Sequence, residues 1–131
     1  MNDLDGFVIE GTRGVYRPTG TVSLEQAIAL VRAGIAEACA KNVGALLIDT
    51  TALTGFASPD TFQRFLAAVD WAGEARGRVR LAMVARPEMI DREKFGVTVA
   101  GNRGLVSNVF SAEHEARVWL DAGRGARARP E

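Results

Sequence analysis

The residues best suited to ligand chemistry follow a short apolar run in the first half of the chain. Asp49, Thr51 and Thr54 come directly after this run, and Ser58 stands before a predicted helix. If the run is a strand of a parallel sheet, these groups lie beyond its carboxyl end, where open α/β sheets bind ligands. A helix N-terminus also favours anions. We therefore predict a ligand site at these four residues, with Arg86 from the end of the next predicted strand as an anion partner.

The same residues have a purely structural interpretation. Asp and Thr side chains commonly hydrogen-bond the backbone of the loop that contains them. Ser58 precedes Pro59 and Asp60, a pattern typical of a helix N-cap followed by proline at the first helical position. On this alternative Asp49 and the threonines only stabilise their loop, and Ser58 only caps the second helix.

The sequence contains no recognisable catalytic set. His114 is the single histidine; it is predicted to be exposed in the first turn of the last helix, and no nucleophile can be placed beside it. Cys39 is the single cysteine, which excludes a disulfide within the chain and a cysteine-based zinc site. It lies close to the inward stripe of the first helix, as a small buried hydrophobe does. No phosphate-binding glycine motif is present. We expect no enzymatic activity, no cofactor and no metal.

The charge balance argues against a nucleic-acid partner. The 131 residues contain 16 Lys+Arg and 16 Asp+Glu, and 47% of all residues are hydrophobic. Residues 1–122 hold 13 basic and 15 acidic residues, whereas the last nine hold three arginines and one glutamate. A nucleic-acid-binding domain usually carries a strong basic excess. We expect one folded domain over residues 1–122 and a disordered basic tail over residues 123–131.

The sequence also predicts the cellular compartment. The N-terminus is acidic and lacks the apolar run of a signal peptide, and no apolar run is long enough to span a membrane. The one cysteine is unpaired within the chain. We expect a cytoplasmic protein without an integral membrane segment.

Hydrophobic periodicity predicts the order β-β-α-β-α-β-α-β-α. A hairpin is followed by a helix that begins at Leu24 after the capping box of Ser23 and Gln26. Residues 45–49 form an apolar run that ends in an acid, as expected for a strand buried on both faces of a parallel sheet. Strands that alternate with helices predict an α/β fold with a mostly parallel central sheet and packed helices.

The second predicted helix has two distinguishable faces. Its inward stripe is predicted to contain Phe62, Phe65, Leu66 and Val69. The opposite face then carries a tryptophan and an arginine among alanines, and Trp and Arg are enriched at binding hot spots. We predict a homodimer or protein-partner interface on that face, although a lone exposed tryptophan is an equal alternative. The predicted interface residues are Arg64, Ala67, Ala68, Trp71 and Ala75.

Three segments resemble one known family. They are the strand Leu46–Asp49, the loop Thr54–Phe56, and the closing segment Val109–Ser111 that leads into Ala116–Leu120. Together with the element order, they make residues 7–122 similar to the SpoIIAA-like branch of the STAS domains (sulfate transporter and anti-sigma-factor antagonist). The resemblance implies a sheet of βαβ units covered by helices and a regulatory or binding role. Related folds of the CRAL-TRIO type bind lipids.

The resemblance also implies a phosphorylation site. The Asp-Ser-Ser-Gly-like motif of anti-sigma-factor antagonists falls on residues 57–60, so Ser58 is the candidate; Ala57 replaces the acid of the motif and Pro59 its second serine. The expected function is that of a non-catalytic regulatory or small-ligand-binding module that acts through self-association or a protein partner. The alternative is a carrier of a lipid or another small apolar molecule, which requires an apolar cavity between sheet and helices. An enzyme is the least expected.

Overall fold

A five-stranded sheet forms the centre of the molecule. The computed structural model describes residues 4–128, with the side chains of residues 4–123. The strands in the described part are β1 (Phe7–Glu10), β2 (Arg13–Tyr16), β3 (Gly20–Thr21), β4 (Ala45–Asp49), β5 (Leu53–Thr54), β6 (Arg80–Val84) and β7 (Ser107–Phe110). The helices of the same residues are α1 (Leu24–Ala40), α2 (Thr61–Ala75), α3 (Phe95–Asn102) and α4 (Glu113–Ala128), and a 3₁₀ turn spans Pro87–Met89.

The strand order of the sheet is β1-β2-β4-β6-β7. β1 and β2 pair antiparallel as a hairpin, while β2, β4, β6 and β7 are parallel neighbours. The predicted α/β class and mostly parallel sheet are confirmed. Gly20 and Thr21 form β3, which pairs in parallel with β5 as a separate two-stranded ribbon.

Helix α1 begins and packs as predicted. The Ser23 hydroxyl accepts a hydrogen bond from the Gln26 backbone N–H at 3.0 Å, and the Gln26 side chain accepts one from the Ser23 N–H at 2.8 Å. Gly34 lies on the buried face, where an added Cβ would come within 2.9 Å of the Tyr16 ring and 3.0 Å of the Ile48 side chain. The absence of a side chain at Gly34 therefore lets α1 approach the sheet closely.

Helices cover both faces of the sheet. Alternate residues of β4 separate the two layers, because Leu46 and Ile48 pack with α1, α2 and α3, whereas Leu47 packs with α4. On the α4 side, Trp119 packs near Phe110 with ring centroids 6.0 Å apart. The uninterrupted apolar run of β4 thus reflects burial on both faces, as predicted.

The two faces of α2 are the reverse of the prediction. Ala67, Ala68 and Ala75 are buried, whereas Phe62 is 67% and Leu66 is 49% exposed. The alanine face packs against α1 and the sheet, because small side chains allow a helix to lie close to its neighbours. The larger apolar residues consequently face outward, and the prediction of an exposed interface along the alanine face is wrong.

Helix α2 also begins later than predicted. Asp60, and not Ser58, is its N-cap: the Asp60 carboxylate accepts from the Gln63 N–H at 2.8 Å, and the Gln63 side chain accepts from the Asp60 N–H at 2.8 Å. This reciprocal capping box satisfies two backbone donors at once. Pro59 therefore precedes the cap instead of occupying the first helical position.

The C-terminal part of the chain departs from the prediction in the length of its last helix. Before it, α3 packs Val99 against the core, while Phe95 is 36% exposed. Helix α4 continues to Ala128, so residues 123–128 are helical and not a disordered tail. Residues 129–131 of the predicted tail lie outside the described part of the chain.

Candidate ligand-binding cavity

A cavity of about 160 Å³ lies between the sheet and the layer of α1, α2 and α3. Apolar cavities of about this size take up benzene-sized molecules. Most of the lining side chains are apolar and come from α1, the 50–59 loop, α2, β6 and the 85–97 segment. They include Ile28, Leu53, Phe56, Trp71, Met83 and Met89.

Small residues on the surrounding helices leave this space open. Ala67 and Ala68 line the cavity from α2, and Gly96 and Ala100 line it from α3. Protein interiors normally fill such positions with larger side chains that interlock. Here the large apolar side chain of Phe62 lies on the opposite, exposed face of α2. The orientation of α2 is therefore what keeps the cavity empty of side chains.

Trp71 forms part of the cavity wall and also joins two helices. Its indole Nε1 donates a hydrogen bond to the backbone oxygen of Ile28 at 3.1 Å. Both residues line the cavity. The indole presents a large apolar surface while its one polar group has a partner. Trp71 is consequently a wall residue and a fluorescent reporter of the cavity.

Two arginines line the cavity and donate hydrogen bonds to neutral oxygen atoms. Arg64 donates from Nη1 to the Met89 backbone oxygen at 3.2 Å and from Nη2 to the Ser58 hydroxyl at 2.9 Å. Arg86 donates from Nη2 to the Leu53 backbone oxygen at 3.2 Å. These contacts tie α2, the 3₁₀ turn and the loop after β4 together around the cavity.

Lys94 also lines the cavity, but its charge is engaged elsewhere. Its backbone is left-handed, with φ of 51°, immediately before α3. The ammonium donates to the Asn108 side-chain oxygen at 2.6 Å and to the Val109 backbone oxygen at 3.0 Å. Val109 belongs to β7, at the edge of the five-stranded sheet. Lys94 therefore covers an acceptor of an edge strand, where exposed backbone groups otherwise invite unwanted pairing.

The predicted site residues do not converge on one place. The backbone N–H and hydroxyl of Thr51 donate to the same Asp49 oxygen at 2.9 and 2.7 Å, as in the structural alternative for this loop. Thr54 lies on the β3–β5 ribbon, with its hydroxyl 3.3 Å from that of Thr21. Arg86 lines the cavity. Ser58 does not line it, but the Ser58 hydroxyl accepts a hydrogen bond from Arg64, which does.

Asp49 belongs to an ionic cluster on the α4 side of the sheet. The guanidinium of Arg17 donates two hydrogen bonds to the Glu113 carboxylate, at 2.8 and 2.9 Å. These bonds are the largest cause of a lowered pKa of Glu113, which falls to about 2. A hydrogen bond with Asp49 and the positive charges of Arg17 and Arg117 lower this pKa further, whereas burial raises it. The cluster attaches α4 to β2 and β4 and is structural in character.

The predicted interface residues lie inside the molecule. Arg64, Ala67, Ala68 and Trp71 line the cavity, and Ala75 is completely buried. The stripe of alanines on this face of α2 is the sequence signal that indicates burial, because a helix that packs closely against a sheet needs small residues there.

The remaining candidates for chemistry stay isolated. His114 is exposed. The Cys39 thiol lies 3.8 Å from the backbone oxygens of Glu74 and Ala75, and burial raises its pKa. Within residues 4–128, no three His, Cys, Asp or Glu side chains are grouped so that they could hold a metal ion.

Comparisons of the chain with protein-family models and with curated proteins find no match. Among the described helices, none is long and apolar enough to cross a membrane.

Proposed function

We propose that this chain is a non-enzymatic binding module for a small apolar molecule. The observation that carries the proposal is the cavity of about 160 Å³ that α1, α2 and α3 enclose against the sheet. Ligand pockets are typically concave and mostly apolar, with a few polar groups that fix orientation. Arg64 and Arg86 supply polar groups of this kind. The proposal corresponds to the apolar-carrier alternative raised from the sequence.

The strand order supports a relationship of this fold to the STAS domains. An antiparallel hairpin strand at one edge is followed by parallel strands, and helices cover both faces of the sheet. The resemblance implies a sheet of βαβ units covered by helices, and this arrangement agrees with it. A regulatory role that goes with such a fold is compatible with ligand binding, because a bound molecule can control a partner surface.

A second candidate function is self-association or partner binding through the outer surface of α2 and α3. Phe62, Leu66 and Phe95 all expose large apolar side chains there. Exposed apolar patches on soluble proteins commonly mark interaction sites. Sedimentation of the wild type and of a Phe62→Ser/Leu66→Ser variant tests this candidate. A monomer at all concentrations in the wild type would exclude self-association.

Benzene, a neutral probe that suits the size of the cavity, tests the proposed function by isothermal titration calorimetry. We expect saturable binding at one site per chain and at least a tenfold loss of affinity in Ala68→Leu, because the new side chain occupies the cavity. The matched control is Ala122→Leu, which makes the same change at an exposed position of α4 and should bind as the wild type does. Absence of saturable binding by the wild type, or equal affinity in folded Ala68→Leu, would contradict the proposal.

A further inference from the structure

We infer that the ligand is an amphipathic carboxylic acid, with its apolar part in the cavity and its carboxylate bound by Arg64 and Arg86. This inference rests on the proposed function and adds the chemical class of the ligand. It depends on the partners of the two guanidinium groups, which the structure leaves without strong anionic contacts.

Arg64 is a cation with only neutral partners in the described part of the chain. Its two hydrogen bonds go to a backbone carbonyl and to the Ser58 hydroxyl, and it forms no ion pair with any carboxylate of residues 4–123. The side chain is partly buried at the cavity wall. A charge that is withdrawn from water without a counterion is unfavourable. Three of its five N–H groups have no acceptor in these contacts, so an anion can be added without breaking them.

Arg86 has one weak anionic partner. Its Nη1 lies 3.6 Å from a carboxylate oxygen of Glu88, whose side chain is 61% exposed. An exposed pair at this separation contributes little. A ligand carboxylate that binds Arg86 would therefore compete with Glu88 at small cost.

The other charged groups at the cavity are already engaged. The Asp91 carboxylate accepts a hydrogen bond from the Phe95 backbone N–H at 2.7 Å, at the start of α3. The Lys94 ammonium is held at the β7 edge by its two oxygen acceptors. Arg64, with three N–H groups outside these contacts, and Arg86 therefore offer more available donors to a ligand than Lys94 does, which has one. A guanidinium presents a planar set of donors that matches a carboxylate, and such charge-assisted hydrogen bonds are stronger than neutral ones.

The position of Arg86 agrees with this assignment. It follows the carboxyl end of β6, and its partner Leu53 belongs to the segment that leaves the neighbouring parallel strand β4. Open α/β sheets bind ligands at this end of their strands. The head group is therefore expected at the strand ends, and the apolar part deeper between the sheet and the helices.

Three small probes with the same carbon framework and different head groups test the inference. 3-Phenylpropionate, 3-phenylpropanol and 3-phenylpropylamine share a benzene ring, which suits the cavity size, and differ in the charge of the head group. Their affinities are measured at pH 7 by isothermal titration calorimetry. We expect the acid to bind about tenfold to a hundredfold more tightly than the alcohol, the range that hydrogen bonds to a charged group contribute. The amine should bind most weakly.

Charge variants identify the groups responsible. Arg64→Gln and Arg86→Gln should each lose most of the preference for the acid over the alcohol, whereas Arg92→Gln, at an exposed position nearby, should retain it. Glu88→Gln should bind the acid more tightly, because it removes the competing carboxylate. Its matched control, Glu93→Gln, is also exposed and should not change the affinity.

The outcomes separate the inference from the proposed function. Saturable benzene binding combined with equal affinities for the acid and the alcohol would overturn the inference and leave the apolar-binding function standing. Failure of benzene to bind at all would overturn both. If Arg64→Gln does not fold, Arg86→Gln and Glu88→Gln decide the matter, since an unchanged preference for the acid in both would also refute the assignment.

Discussion

Glu113→Gln should destabilise the protein at neutral pH and not at low pH. The pKa of Glu113 falls from its ordinary value of 4.5 to about 2, mainly because Arg17 donates two hydrogen bonds to it. A shift of this size corresponds to at most about 3.5 kcal/mol, at about 1.4 kcal/mol for each pKa unit. The Arg17 and Glu113 side chains are 47% and 26% exposed, so solvent screening reduces the expected contribution to about 1–2 kcal/mol.

The direction of the pH effect follows from the lowered pKa. A carboxyl whose pKa is lower in the folded state contributes its full stabilisation above the unfolded-state pKa and loses it as the pH falls through the folded-state value. Urea unfolding of the wild type should therefore show this contribution at pH 7 and its progressive loss between about pH 5 and pH 2. Glu113→Gln should lack it at every pH.

The matched control is Glu115→Gln, an exposed neighbour on the same helix. It should remain within about 0.5 kcal/mol of the wild type at each pH. Equal stabilities of Glu113→Gln and wild type at pH 7 would refute the reasoning, and so would a difference that persists unchanged at pH 2. Benzene binding by Glu113→Gln should equal that of the wild type, because Arg17, Asp49 and Glu113 do not line the cavity.

Three further predictions concern packing and capping. Ala68→Leu should leave the free energy of unfolding, measured by thermal unfolding, unchanged or raise it by up to about 2 kcal/mol, because three carbon atoms enter the cavity. A loss of more than about 1 kcal/mol would indicate a packed interior. Asp60→Ala should lower stability in urea by about 1 kcal/mol, and Ser58→Ala by clearly less, because Asp60 caps α2; the reverse order would restore Ser58 as the cap. Phe62→Ser should change stability by less than about 0.5 kcal/mol in urea, because the side chain is exposed; a loss above 2 kcal/mol would place it in a core or a stable interface.

The sheet could be predicted from sequence because its signals are local and agree with one another. The run of residues 45–49 is apolar at every position before its terminal acid, which only a strand buried on both faces explains well. The capping box of Ser23 and Gln26 similarly predicts the start of α1, and the structure confirms it. Both signals depend on residues that are close in the chain.

The orientation of α2 could not be predicted in the same way because both of its faces are apolar. Phe62 and Leu66 are more hydrophobic than Ala67 and Ala68, yet close packing against α1 and the sheet selects the smaller pair. Hydrophobicity alone therefore indicates the wrong face. The N-cap has a similar ambiguity, since Ser58 and Asp60 are both good caps and only Asp60 has Gln63 to complete the capping box.

The cavity itself is beyond local sequence patterns. It is a space between three helices and a sheet, and its existence depends on how those elements are placed relative to one another. Of the five predicted ligand residues, Arg86 lines this space. Thr51 instead donates two hydrogen bonds to the Asp49 carboxylate at the end of β4. The position of Arg86 at the cavity agrees with the general position of strand ends, and its role as a ligand residue stays a prediction.

The most direct test of the central claim uses two methionines as reporters. Met83 and Met89 line the cavity. With ¹³C-labelled methionine methyl groups, benzene is titrated into the wild type, Ala68→Leu and Ala122→Leu, and the methyl spectra are recorded. Binding in the cavity predicts saturable shifts of the Met83 and Met89 signals with a single dissociation constant in the wild type and in Ala122→Leu, and at least tenfold weaker binding in Ala68→Leu. No saturable shift in the wild type, or equal shifts in Ala68→Leu at the same benzene concentrations, would contradict it.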